Sequence, residues 1–281
     1  MLYALQNLLA HLPTNFFKLL AWLALAALIF MPLERLLARR PQAAFRQGWL
    51  GDIGYYFISG LLPAFVLLFT THAISQISHL LLPKAWFSLM TGLPLLTAAF
   101  LTLIVGDLAY YWAHRWSHEI PLLWKFHAIH HSPKQLDWLV NTRAHPIDTS
   151  YTRTVVFIPI CLLGLSQGAA GETDFLLLAF ALLNRFWSTF VHANVNLRLR
   201  ALDGILSTPF FHHWHHTNDG PQLVNKNYAA VLPIWDKLFG SYLMPNDFPA
   251  SYGIDQTLST GVLSKAFAPL ATNKNGSEPA A

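Results

Sequence analysis

Between Gly106 and His131 the chain reads GDLAYYWAHRWSHEIPLLWKFHAIHH, and five of its fourteen histidines stand there. They form H-x-x-x-H (His114, His118) and H-x-x-H-H (His127, His130, His131); a second H-x-x-H-H follows at His212, His215 and His216. Residues three and four apart share one face of a helix, so each group is expected to present its imidazoles in a single direction. Neutral imidazole is a ligand for iron, zinc, copper and nickel. Eight imidazoles exceed the roughly four to six ligands that one ion takes. The pattern asks for two metals.

Isolated histidines are usually surface or capped-core residues, and His11, His72 and His79 read that way. The other eleven lie between positions 114 and 216. Of these, His192 reads as a further ligand, because an apolar hairpin delivers it to the side that holds the three groups. His145, in NTRAHPID, is balanced between ligand and interfacial residue. His213 falls about 100° around a helix from His212 and is left out of the set. The single cysteine, Cys161, excludes internal disulfides and thiolate metal sites.

The elements that must position these groups are membrane helices. Hydrophobic residues make up 54% of the 281 and charged residues 11%, far below the roughly 25% of soluble domains. No Lys/Arg run suggests nucleic-acid binding, and the first ten residues lack the basic region of a removable signal peptide. Three apolar runs, about 16–37, 53–73 and 85–113, are long enough to cross a bilayer; Lys18 in the first can snorkel. Basic residues cluster at Arg35 to Arg46 and again from Arg115 to Arg153, while the intervening loop carries only Lys84. The positive-inside rule places both clusters, and with them every histidine group, in the cytoplasm.

Two shorter apolar pieces, Val155 to Leu165 and Phe175 to Asn184, read as a re-entrant hairpin within 155–190, with two extra crossings as the alternative. The expected fold is an all-α polytopic membrane bundle. A cytoplasmic-side helical cap, 114–153 and 192–245, would hold a histidine-rich dimetal site. Residues 1–270 form one integral-membrane domain and 271–281 a polar tail.

Local sequence adds detail to this plan. Asp107, Tyr111, His114 and His118 form one helical stripe. A carboxylate at the end of a membrane helix needs a partner, and the free ring N–H of a metal-bound histidine on a neighbouring helix is the expected one. Ser132-Pro133 reads as the cap and first turn of a new helix. The segment NYAAVLPIWDKLFGSYLMP is expected to pack as a lid or floor for the site.

The boxes HRWSH, HAIHH and HHWHH, with HHSPKQLDWLVNTRAHP, FVHANV and NYAAVLPIWDKLFGSY around them, resemble the fatty acid hydroxylase and sterol desaturase superfamily of membrane di-iron oxygenases. The resemblance covers roughly residues 95 to 245. It implies His114, His118, His127, His130, His131, His192, His212, His215 and His216 as metal ligands. Some members carry another histidine four residues before His192, where this chain has Ser188. The resemblance also implies two iron ions, exchangeable for zinc on purification, O2 as co-substrate and a separate electron-transfer protein. The expected activity is hydroxylation or desaturation of a C–H bond in a bilayer lipid (sterol, fatty acyl, carotenoid or related), at a bacterial inner membrane or the endoplasmic reticulum. A dinuclear zinc hydrolase and a non-catalytic metal transporter or sensor are the alternatives.

Overall fold

The computed structural model describes residues 6, 10–165 and 173–259. Among these the chain is helical, with no β-strand and two isolated bridges, Ala38 to Val195 and Thr217 to Tyr252. Three helices are long and apolar enough to span a membrane: α1 (Leu12–Leu36), α2 (Trp49–Leu81) and, after the short α3 (Lys84–Thr91), α4 (Leu95–Glu119). The 25 residues of α1 and of α4 each extend about 37 Å, against a hydrocarbon core of about 30 Å. An integral-membrane bundle follows from those lengths.

The third apolar run is not one helix. It breaks at Gly92, Leu93 and Pro94, because proline has no N–H to continue the ladder and disfavours helical backbone in the residue before it. The eight-residue α3 turns aside, and its Trp86 Nε1 donates to Leu163 O at 2.9 Å. The hairpin helices also differ from expectation. α6 (Pro146–Leu162) has 17 residues and α7 (Thr173–His192) has 20, each longer than its apolar centre. The extra turns of α6 are polar ones such as Asp148 to Thr152, which hydropathy alone does not count as helix. Residues 166–172, within the expected turn, and 271–281, the expected tail, lie outside the described residues.

α4 ends at Glu119; Ile120 is extended and Pro121 opens α5 (Pro121–His131), so the chain folds straight back beside the end of α4. Ser132 then closes α5 instead of starting a helix: its hydroxyl donates to Ile129 O at 2.7 Å. The next turn is a 3-10 helix at Trp138–Thr142, capped by Asp137, which accepts from Leu139 and Val140 N–H. A further 3-10 turn (Arg200–Leu202), α8 (Pro209–His215) and α9 (Ile234–Leu238) complete a cap over the ends of the long helices.

Buried polar pairs bind the cap to the bundle. Asp52 of α2 holds both Arg46 and, at 2.7 Å, Arg143, while Asp137 receives Arg46 at 2.8 Å. Glu34 Oε1 accepts from Trp138 N and Asn194 N, and Phe30 of α1 packs between Trp138 and Phe186. Removing one member of such a buried pair costs about 3–5 kcal/mol, because its partner is left charged and dry.

Candidate metal centre

The nine histidines expected as ligands converge into two buried groups. His114 and His118 (α4), His127 and His131 (α5) and His215 (α8) make one; His130 (α5), His192 (end of α7), His212 and His216 (α8 and its C-cap) make the other. Within each group one nitrogen from every ring lies within 4.8 Å of all the others. The boxes therefore do not each point one way. His127 and His131, one turn apart, serve the first group while His130 between them serves the second; His212 and His216 serve the second while His215 serves the first.

Tautomers follow from the outer contacts. His114 Nδ1 donates to Tyr228 O (2.7 Å), His118 Nδ1 to Asn225 Oδ1 (3.0 Å) and His215 Nδ1 to Lys226 O (2.8 Å). His130 Nδ1 donates to Arg143 O (3.2 Å), His192 Nδ1 to Ser188 O (2.8 Å) and His127 Nδ1 to the Asp148 carboxylate (3.0 Å). A neutral ring that donates from Nδ1 carries a lone pair on Nε2. Yet His114 Nε2 lies 3.2 Å from His127 Nε2, and His130 Nε2 lies 3.2 Å from His192 Nε2. Lone pair faces lone pair, with no proton to share. Among the described residues, the buried Nε2 atoms of His118, His131 and His215 have no hydrogen-bond partner. A cation in each group satisfies every one of these atoms, so the residues fit the metals that their types suggest.

Burial, with neighbouring imidazoles adding to it, holds His130, His131, His212, His215 and His216 well below the ordinary histidine range. Those rings are neutral at physiological pH, which is the ligating form.

The carboxylate behind a histidine is Asp148, not Asp107. Asp107 accepts from Val231 N (3.0 Å), Leu232 N (2.9 Å) and Trp235 Nε1 (3.1 Å), and it has no hydrogen bond to a histidine among the described residues. Two turns of α4 below His114, it reaches the loop before α9 and fills both oxygens there. Asp236 fastens the same loop through Tyr228 N and Ala229 N. The loop in turn supplies the acceptors Tyr228 O, Lys226 O and Asn225 Oδ1, of which Tyr228 belongs to the segment expected as a lid or floor. Asn225 takes a left-handed φ of 58° to do so, a conformation that asparagine tolerates.

Asp148 has one sequence signal: an acid in the first turn of a helix opened by proline, in a chain poor in charge. His145 lies outside both groups. It caps α6, its Nδ1 accepting from Ile147 N at 3.1 Å. His213 is turned away, bonded to Tyr252 Oη and Ala193 O.

The model of the fatty acid hydroxylase family matches residues 99–241, half of the chain and all nine histidines. The chain belongs to that family. Among curated relatives of this fatty acid hydroxylase family member, an ornithine lipid hydroxylase of Rhizobium tropici is 36% identical over 69% of this chain and 53% of its own length. Alkylglycerol monooxygenases of Danio rerio and Homo sapiens are each 32% identical, over 55% and 63% of this chain and 32% and 35% of theirs. The chain thus matches about half or less of each relative. No solved structure matches it.

Proposed function

We propose that the chain is a membrane-bound, non-haem di-iron oxygenase that inserts oxygen into a lipid C–H bond. The observation that carries this reading is the pair of buried imidazole groups with opposed, unprotonated Nε2 atoms at the end of an apolar helix. His114, His118, His127, His131 and His215 would hold one iron, and His130, His192, His212 and His216 the other. Iron held by neutral nitrogen ligands supplies O2-dependent oxidation when bound. The overall change is C–H plus O2, two electrons and two protons to C–OH plus water, with the electrons coming from a separate donor.

The protein's own residues set the conditions. Outer carbonyls, Asn225 and Asp148 fix each ring's tautomer and aim its Nε2 inward. Trp124, packed on His118 and His131, and Tyr110, edge-on to His114, wall the first group with aromatic surface. Neither group contains a carboxylate, which favours this reading over the bridged sites of dinuclear zinc hydrolases. The positive-inside distribution supports a cytoplasmic site, open to a soluble donor on one side and to bilayer lipid on the other. The relatives named act on an ornithine lipid and on alkylglycerols; we extend to this chain the shared class, a lipid with a long apolar chain.

The test is iron content measured together with O2-dependent addition of one oxygen atom to lipid extracts, by mass spectrometry. Iron-loaded protein that leaves every lipid class unoxidised in the presence of a competent reductase would remove the oxygenase reading.

A further inference from the structure

α1, α2 and α7 line a cleft of about 560 Å³ to which no histidine contributes. Leucines dominate its walls, Leu19, Leu25 and Leu61 among them, and its charged lining consists of Lys18 and Arg185. No acid lines it, and among the described residues neither cation has a carboxylate within ion-pair distance. The cap treats its arginines differently: Arg46 and Arg143 both meet Asp52.

Arg185 is nevertheless held in place. Its Nη2 donates to Tyr56 Oη at 3.0 Å, Tyr56 donates onward to Leu19 O at 2.7 Å, and the guanidinium lies 5.2 Å from the centre of the Trp22 ring. These contacts position the charge without neutralising it. An ionisable side chain inside a membrane bundle is costly unless something pairs with it. Arg185 is partly buried and Lys18 is exposed beside the same apolar cleft, whose volume is within the usual range of small-molecule sites; the two unmatched cations define the missing partner.

We propose that this cleft binds one anionic phospholipid from the bilayer, its phosphate held by Lys18 and Arg185 and an alkyl chain laid along the leucines. Lys18, which by sequence alone need only snorkel, becomes half of a headgroup site. The site stands apart from the histidine groups and does not depend on the metal chemistry.

Native mass spectrometry of the full chain in non-ionic detergent tests this, with phosphatidylglycerol and phosphatidylcholine of identical acyl chains as probes. One phosphatidylglycerol is expected to be retained per chain in preference to phosphatidylcholine, with roughly fivefold weaker binding for each of Lys18→Gln and Arg185→Gln. Ala64→Trp fills the cleft while leaving both cations, and is expected to abolish retention with metal content unchanged. If Arg185→Gln does not fold, Lys18→Gln and Ala64→Trp still decide the matter, since neither removes a hydrogen bond of the bundle. Equal retention of the two lipids, or undiminished phosphatidylglycerol binding in the Lys18 and Ala64 variants, would overturn the proposal.

Discussion

The two histidine groups look like copies and are not. The first has five imidazoles, one of them backed by the Asp148 carboxylate; the second has four, and the acceptors behind His130 and His192, Arg143 O and Ser188 O, are neutral carbonyls. A carboxylate-backed imidazole is the stronger donor. The first group should therefore hold its metal more tightly and survive the loss of one ligand better. Ser188, one turn before His192, adds no ring to the second group; its hydroxyl donates to Asn141 Oδ1 at 2.7 Å.

Removing ligands is the harshest way to break this contrast. His216→Ala leaves three imidazoles in the second group and should lower metal from about two ions per chain to about one. His131→Ala leaves four in the first group and should keep more metal than His216→Ala, though turnover falls in both. Metal analysis of the two purified variants checks this, and equal losses would make the groups equivalent.

Acid should empty both groups. The unfolded histidines take up protons near pH 6.5, whereas His131 and His215 in the first group and His130, His212 and His216 in the second stay neutral to much lower pH. The unfolded state then binds more protons, so stability is present above about 6.5 and is lost as pH falls below it. Thermal unfolding of metal-free protein should show a falling midpoint below that pH. Metal retention should fall over the same range, the second group emptying first.

Asp148→Asn isolates the charge behind His127. It should weaken metal binding in the first group by roughly 10–100-fold and leave the second unchanged; a chelator titration with two resolved phases distinguishes them.

Asp107→Asn is gentler, because Asp107 holds a loop and not a ring. The new amide would set an NH2 against a backbone N–H, costing about 1–3 kcal/mol, and loosen Tyr228 O behind His114. A lower melting point with metal retained is the expected result, and outright metal loss would show that Asp107 acts more directly. His145→Ala is the mildest, at about 1 kcal/mol for a lost helix cap, with metal content unchanged.

Much of this could be read from the chain itself. The apolar runs fixed the membrane class because helix length and hydrocarbon thickness are physical constants of the problem. All nine histidines that converge were legible as candidates, because imidazoles at helical spacing are rare without a ligand. Helical phase set His213 aside, and its ring lies outside both groups, bonded to Tyr252 and Ala193. Three local readings failed, two because a tertiary partner outweighed the local signal and one, the third run, because a local breaker outweighed the apolar pattern. Arg143 and Ile129 drew Ser132 into a C-cap, Pro94 broke the third run, and the loop at Val231 and Leu232 took Asp107.

Sequence by itself determined which residues carry the chemistry, since spacing and residue type are one-dimensional facts. Only the folded chain decided how they are shared. On a single helix, residues 127, 130 and 131 lie on much the same face, so their spacing cannot say that His130 leaves its neighbours to join His192 and His212. That division arises because the end of α7 sets His192 Nε2 3.2 Å from His130 Nε2 and α8 sets His212 Nε2 2.9 Å from His192 Nε2, whereas His127 meets His114 of α4. Asp148 meets His127 for the same reason. Twenty-one residues separate them in the chain, and the fold of α6 against α4 closes that distance to 3.0 Å.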